Sequence, residues 1–211
     1  VLVTLPKIST HDLRRYYDSE NYHSHKRSKS LLSIVYDISS RFMARRKVKL
    51  ISRFIKNRKS ILEFGCGRGG FLLSAKKAGF EVCGVEDISS AHKELDVKNI
   101  KVYNKLDSVS RPVNAITFWH SLEHINDLNQ TLILCRKILK DKGILIVAVP
   151  NYDSFDAKYY QSFWAAYDVP RHRFHFNKKG LLKTVQKHGF KHRLTKPMCL
   201  DSVYAVSYTH L

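Results

Sequence analysis

The sequence predicts an α/β protein with a doubly wound, mostly parallel sheet and helices ahead of it. Three observations predict this fold. Short apolar runs alternate with amphipathic helical stretches between residues 60 and 149. A glycine cluster joins the first of those runs to the first helix. The second run is closed by a carboxylate, Glu86, nineteen residues after Gly67. Strands and helices in alternation argue for parallel strands joined by right-handed crossovers, and such sheets take ligands outside the carboxyl ends of their strands.

Residues 1–58 read as a polar, basic N-terminal helical extension, and 59–211 as one domain with an insertion on the ligand side at 150–178. Within the extension a helix is expected from about Ser30 to Ile55. Leu31, Ile34, Val35, Ile38, Phe42 and Met43 recur at helical spacing and should form its apolar face. Arg41, Arg45, Arg46, Lys47 and Lys49 should form its solvated side. Ser60 to Phe64 reads as a buried strand, and Phe71 to Ala78 as a helix closed by Gly79. Glu81 to Glu86 is a second strand, followed by a helix starting at Ser89 or Ser90, and Ile100 to Tyr103 is a third strand. Val113 to Trp119 is a fourth strand, Asp127 to Lys140 a helix, and Gly143 to Val149 a fifth strand. Leu128, Leu132, Cys135 and Leu139 share one face of that helix, as in a helix lying on a sheet. One more helix and strand signal complete the chain.

A chain of 211 residues suits one α/β domain, and 44% hydrophobic with 26% charged residues is ordinary globular composition. No apolar run is long enough to span a bilayer, and VLVTLPKIST lacks the pattern of a secretory signal. Both ends are read as truncation points on which nothing rests. Cys66, Cys83, Cys135 and Cys199 form no C-x-x-C pair, so reduced thiols and a cytoplasmic location are expected. The balance of 37 Lys and Arg against 18 Asp and Glu gives a net charge of +19. Such a field attracts nucleic acid, acidic lipid and phosphorylated metabolites. Solvated surface charge is the simpler reading, so a nucleic-acid partner is an alternative and is not favoured.

The segment Glu63-Phe64-Gly65-Cys66-Gly67-Arg68-Gly69-Gly70 fits two patterns. Gly65, Gly67 and Gly70 satisfy G-x-G-x-x-G, the dinucleotide loop; Gly65, Gly67 and Gly69 with Glu63 satisfy E-x-G-x-G-x-G. Either lets backbone approach a ligand near a helix N-terminus, and Glu86 can accept hydrogen bonds from ribose hydroxyls. Glu63 separates the two. A carboxylate aimed at the loop repels a pyrophosphate but suits a ligand that carries an ammonium group.

These residues resemble the class I S-adenosylmethionine-dependent methyltransferases, which are Rossmann-like. ILEFGCGRGG resembles their first motif and GVEDISS their second strand with its ribose-binding acid. ITFWHSLEHI resembles the fourth-strand motif of the subgroup that includes ubiquinone-biosynthesis O-methyltransferases, and GILIVAVPN the fifth strand and its exit. WAAYDVPRHRFHF is similar to a segment of the bacterial methyltransferase domain 23 proteins. The resemblance runs from about Tyr16 to Tyr204. It implies S-adenosylmethionine as cofactor and residues 59–211 as the domain that binds it. Glu63, Gly65, Cys66, Gly67 and Gly69 would cradle the methionine part, Glu86 the ribose, and Asp87 and Ile88 the adenine. Trp119 and His120 would face cofactor and substrate. One departure is Asn114, where many relatives have Asp. Asn104 to Ser108 also matches poorly, and an adenine contact is usual there.

His120-Ser-Leu-Glu123-His124 also matches H-x-x-E-H, a zinc motif that belongs within a helix and needs a further acidic ligand. Here it follows an apolar strand, so no metal site is expected, and Glu123 and His124 are read as structural. The segment from Pro150 to Phe176 carries Tyr152, Phe155, Tyr159, Tyr160, Phe163, Trp164 and Tyr167, then Asp168, Arg171, His172 and His175. Most of these aromatics should pack the segment onto the sheet, and Arg171 could pair with a substrate anion or with Asp168. His172, His175 and His120 are the candidates for a base, since neutral imidazole accepts a proton near neutral pH. A small-molecule, glycan or lipid-linked hydroxyl is the leading acceptor. The alternatives are an RNA methyltransferase, a nicotinamide-dependent oxidoreductase, and a catalytically inert binding module on the same fold.

Overall fold

The computed structural model describes residues 1–6, 8–9, 12, 16, 31–55 and 59–198, without the side chains of 31–37 and 89–90. The chain divides into two compact units. One comprises 27–119 and 129–147, the other 1–26, 120–128 and 148–211.

The first unit holds the sheet. The chain opens with β1 (Leu2–Val3), which belongs to the other unit. Then come α1 (Leu31–Ser52), β2 (Ser60–Phe64), α2 (Gly70–Lys77), β3 (Glu81–Val85), α3 (Ser89–Asp96), β4 (Lys101–Tyr103), β5 (Val113–Trp119), α4 (Leu128–Ile138) and β6 (Leu139–Ala148). The strand order is β4-β3-β2-β5-β6, with β4, β3, β2 and β5 parallel. The order reverses beside β2, and the loop that leaves β2 is the glycine cluster. Ile61, Leu62, Ala115, Ile116 and Phe118 are fully buried, as central parallel strands covered on both faces require. Phe64 and Phe118 stack at 5.0 Å where β2 and β5 end. At the opposite end, Asn114 Oδ1 accepts from Ser60 N–H at 3.2 Å and Ser60 Oγ–H at 3.1 Å. Ser60 Oγ in turn accepts from Asn114 N–H at 3.2 Å, which fixes the register of β2 against β5.

Two readings of helices are corrected. Among the described side chains of α1 the buried apolar ones are Ala44, Val48 and Ile51, continued by Ile55, whereas Ile38 is 63% and Phe42 53% exposed. Helical spacing identified a stripe but not which residues meet α2, and the side chains of Leu31, Ile34 and Val35 lie outside the described residues. The Arg46 guanidinium lies 5.6 Å from the exposed Phe42 ring and covers part of it. Further on, α4 ends at Ile138 and Leu139 already belongs to a strand, although Leu128, Leu132, Cys135 and Leu139 are all buried as expected.

The second unit contains β1, α5 (Phe155–Tyr160), β7 (Phe174–His175) and α6 (Lys178–Lys187). β1 and β7 pair antiparallel. Ser154 caps α5 by accepting from Ala157 N–H, and Asn177 caps α6 by accepting from Gly180 N–H. The expectation that most aromatics of 150–176 are packed is also corrected: Phe155, Tyr159, Tyr160 and Phe163 are 53–88% exposed. They sit on a short helix and the turn after it, too short to bury more than Ala157. The final strand signal lies outside the described residues. Among the described residues no helix is long and apolar enough to cross a membrane.

Candidate active site

In the sheet-bearing unit, β2, β3 and β5 bring Glu63, the glycine loop, Glu86 and Trp119 to their carboxyl ends. Gly65 and Cys66 donate their N–H groups to Val85 O, at 2.8 and 3.3 Å, which seats the loop against the end of β3. Gly67 has φ +47°, a left-handed conformation that side chains resist, and a Cβ there would meet nothing within 4 Å. The space beside it is open. Gly69 is left-handed for a different reason: its Cβ would run into the Leu95 side chain, so this glycine admits α3. The Cys66 side chain turns away from the open space, over Gly84, whose Cβ would collide with its Sγ. Cys66 therefore lends the loop its backbone.

Glu86 reaches back to the loop. Its Oε2 accepts from Gly67 N–H at 2.9 Å, and its Oε1 from Asp87 N–H at 3.1 Å and Ile88 N–H at 3.4 Å. Burial raises its pKa, the Gly67 hydrogen bond opposes this, and neighbouring Asp87 adds to it. Asp87 and Ile88 are exposed at the start of α3. Glu63 is 5% exposed and its Oε2 has no hydrogen-bond partner. Burial pushes the Glu63 carboxyl well above the usual carboxylate range, with Lys47 opposing and Glu86 reinforcing. Lys47 is the residue that the sequence reading missed. Its ammonium lies 4.9 Å from the centroid of the Trp119 ring, and its charge acts on Glu63. Trp119 packs edge-on against Phe71 at 5.6 Å, and its indole N–H is buried without a partner.

The fit to the implied cofactor follows from these observations. An orphaned buried carboxylate oxygen suits an ammonium, and Gly67 leaves room where a side chain would intrude. Glu86 has lone-pair capacity remaining on Oε2 for a hydroxyl. A pyrophosphate would face the uncompensated acceptor on Glu63.

In the second unit, His120, His124 and His172 gather around Glu123, and the His175 ring lies 6.5 Å from that of His172. Glu123 is 1% exposed, and neither carboxylate oxygen has a hydrogen-bond partner. Its Oε1 lies 3.9 Å from His120 Nδ1 and 4.0 Å from His172 Nε2. Burial raises the Glu123 pKa to about 7, with His120 opposing. His172 Nδ1 must donate to Ala166 O at 2.9 Å, because a carbonyl only accepts, so its Nε2 carries the lone pair. Burial, then the nearby His124 ring, pushes His172 down to about 2. Thr4 Oγ–H donates to His172 O at 2.7 Å, so His175 Nε2 must be the donor in its 2.9 Å contact with Thr4 Oγ1. Burial lowers His175 as well. His120 has φ +55°, unusual for a residue with a side chain, and its side chain is 40% exposed. Arg171 pairs with Asp168 through its Nε at 2.9 Å and through its Nη2.

A family model described as a methyltransferase domain, number 23 of its series, matches residues 39–194. The chain belongs to this family, and by family and fold it is an S-adenosylmethionine-dependent methyltransferase. Among curated proteins no relative matches the chain. Among solved structures it is similar to an S-adenosylmethionine-dependent methyltransferase from Archaeoglobus fulgidus. That pair has 23% identity and a TM-score of 0.60, covering 77% of this chain and 75% of that one. The magnesium protoporphyrin IX methyltransferase of Synechocystis PCC 6803, with bound S-adenosylhomocysteine, has 13% identity and a TM-score of 0.63, covering 87% and 90%. A possible histamine N-methyltransferase from Thermotoga maritima has 18% identity and a TM-score of 0.56, covering 76% and 79%. At these identities the likeness is one of fold. The Rossmann-like α/β class expected from the sequence holds.

Proposed function

We propose that the chain methylates a hydroxyl of a small-molecule, glycan or lipid-linked acceptor, in the manner of the O-methyltransferase subgroup that ITFWHSLEHI resembles. One observation carries the donor side of this reading: Glu63 is a buried carboxylate with an orphaned oxygen beside a left-handed glycine loop. S-adenosylmethionine, when bound, supplies an electrophilic methyl group and is left as S-adenosylhomocysteine. Glu63 would hold its ammonium, the backbone from Gly65 through Gly69 would border the methionine part, and Glu86 would take the ribose hydroxyls. Asp87 and Ile88 would flank the adenine, and Trp119 would wall the site. Much of the protein's contribution is then alignment and exclusion of water.

A base assists an alcohol acceptor. Of the three histidines, His120 supports that role best, because its side chain is exposed and its backbone is held in a strained conformation. His175 retains an Nδ1 lone pair and is the second choice. His172 is too weakly basic at about 2 to take a proton near neutral pH. The exposed aromatics Phe155, Tyr159, Tyr160 and Phe163 offer apolar surface to an acceptor that carries a lipid or ring system.

Isothermal titration with S-adenosylmethionine, S-adenosylhomocysteine and NADH tests the donor. Saturable binding of the first two alone is expected, and binding of NADH alone would overturn the reading. A screen of hydroxyl acceptors, following release of S-adenosylhomocysteine, then tests the acceptor class. His120→Ala should lower kcat at unchanged cofactor affinity; undiminished turnover removes His120 from the mechanism.

A further inference from the structure

We propose that Glu123, His124 and His172 form a binding site for a divalent transition-metal cation. One ligand atom from each residue lies within 4.8 Å of the others. All three belong to the unit made of 1–26, 120–128 and 148–211. The proposal stands apart from the methyl-donor reading and needs no cofactor in place.

The first observation is the state of Glu123. A carboxylate 1% exposed, with no hydrogen bond to either oxygen, lacks the partners that burial ordinarily demands. Buried acceptors are ordinarily satisfied, and an isolated buried carboxylate demands a counter-charge. Arg171 is turned to Asp168, and the groups facing Glu123 Oε1 are the imidazoles of His120 and His172 at 3.9 and 4.0 Å.

The second observation is the orientation of the rings. His172 Nδ1 donates to Ala166 O at 2.9 Å, and His124 Nδ1 donates to Arg171 O at 3.1 Å. An imidazole that gives its Nδ1 proton to a backbone carbonyl presents Nε2 as the donor atom to a metal, and metal-ligating histidines are oriented in this way. The two rings meet edge-on at 4.5 Å between centroids. Their backbone is fixed as well. Arg173 N–H donates to Glu123 O at 2.8 Å, and His172 N–H to Asp168 O at 2.9 Å. The Arg173–Glu123 bond and the His124–Arg171 bond tie the turn at Leu122–His124 to residues 171–173, so segments far apart in sequence are held together before any ion arrives.

Two imidazole nitrogens and one carboxylate, without a thiolate, suit zinc, cobalt, iron or manganese in the divalent state. Bonds of about 2.1 Å would draw the ligand atoms in by roughly an ångström, which side-chain rotation can supply. Three protein ligands leave coordination positions for water or an oxygen of another molecule. His120 and Asp168, whose Oδ2 is 3.7 Å from His172 Nε2, stand next to the cluster as further donors or as its outer support. The H-x-x-E-H motif thus contributes Glu123 and His124, and its third partner comes from a distant histidine.

The test uses the full chain, stripped with a chelator and titrated with Zn²⁺ by calorimetry and with Co²⁺ by visible absorption. One equivalent should bind saturably, Co²⁺ should develop ligand-field bands, and the melting temperature should rise with metal and fall again on chelation. Glu123→Gln keeps the size of the side chain and should weaken binding at least tenfold. His172→Ala should do the same, while His192→Ala, at an exposed histidine outside the cluster, should not. Failure of the unmodified chain to bind either ion saturably overturns the proposal. So does one-equivalent binding that survives Glu123→Gln undiminished. If His172→Ala does not fold, the titration of the unmodified chain and of Glu123→Gln still decides. Titration of the methyl donor is unaffected by either result.

Discussion

Glu63→Gln should move stability and cofactor affinity in opposite directions. The carboxylate sits on β2 at 5% exposure, and its Oε2 is unpartnered. Its folded-state pKa is raised by burial, so the folded chain binds more protons than the unfolded one from about 4.5 upward. Stability contributed by this group therefore falls as pH rises through that window. The amide has nearly the same shape and carries no charge to desolvate. At neutral pH the ligand-free variant should gain about 1 kcal/mol, after allowing for the lost attraction to Lys47. For a chain of this size that is a rise in Tm of roughly 2–4 °C, vanishing toward acidic pH. The same change removes a charge-assisted hydrogen bond to the cofactor's ammonium, worth about 1.5–3 kcal/mol, so affinity should fall about 10- to 100-fold. Thermal melts across pH and titration with S-adenosylhomocysteine read the two effects separately. A variant less stable at neutral pH, or one of unchanged affinity, would refute the account of Glu63.

Three further outcomes follow from the same geometry. Gly67→Asp should cost only about 1–2 kcal/mol of stability for its left-handed backbone, because the site is open, yet should abolish binding of S-adenosylhomocysteine; normal affinity would sink the loop's role. Gly84→Ala should lose about 1–3 kcal/mol in denaturant melts, because its methyl lands on Cys66 Sγ. Adding Cys66→Ala should recover part of that loss, and strict additivity of the two changes would show that the contact is not the cause. Lys47→Met should destabilise the ligand-free protein more in alkaline than in acidic buffer, since the Glu63 charge that it offsets grows as pH rises; equal losses in both would detach Lys47 from Glu63.

The strands were legible because each is a short apolar run bounded by glycine or polar residues, and Val113–Trp119 matches its predicted span. The glycine loop and Glu86 were legible because the dipole and turn chemistry that they serve are local in sequence. The buried stripe of α1 was not, since Ile38 and Phe42 are as apolar as Val48 and Ile51 and only a partner helix decides between them. Lys47 was hidden for the same reason: within a run of basic residues, spacing alone does not single out the one that turns inward. The cluster around Glu123 depends on His172, which chain topology rather than spacing brings to it. The Asp168–Arg171 pair, three residues apart, was visible as one of two readings. Roles assigned to Cys66 and Gly69 came from the motif, and the contacts with Gly84 and Leu95 show packing demands that a motif does not encode.

Asn114 holds the foot of the sheet with only half of its amide. Its carbonyl oxygen receives both Ser60 donors and lies 3.5 Å from Lys140 Nζ. Every one of those bonds would survive if a carboxylate stood in place of the amide, and the Lys140 contact would strengthen. An aspartate in place of Asn114 should therefore keep β2 and β5 in the same register, so the lock at this end of the sheet asks for an acceptor and not for an amide.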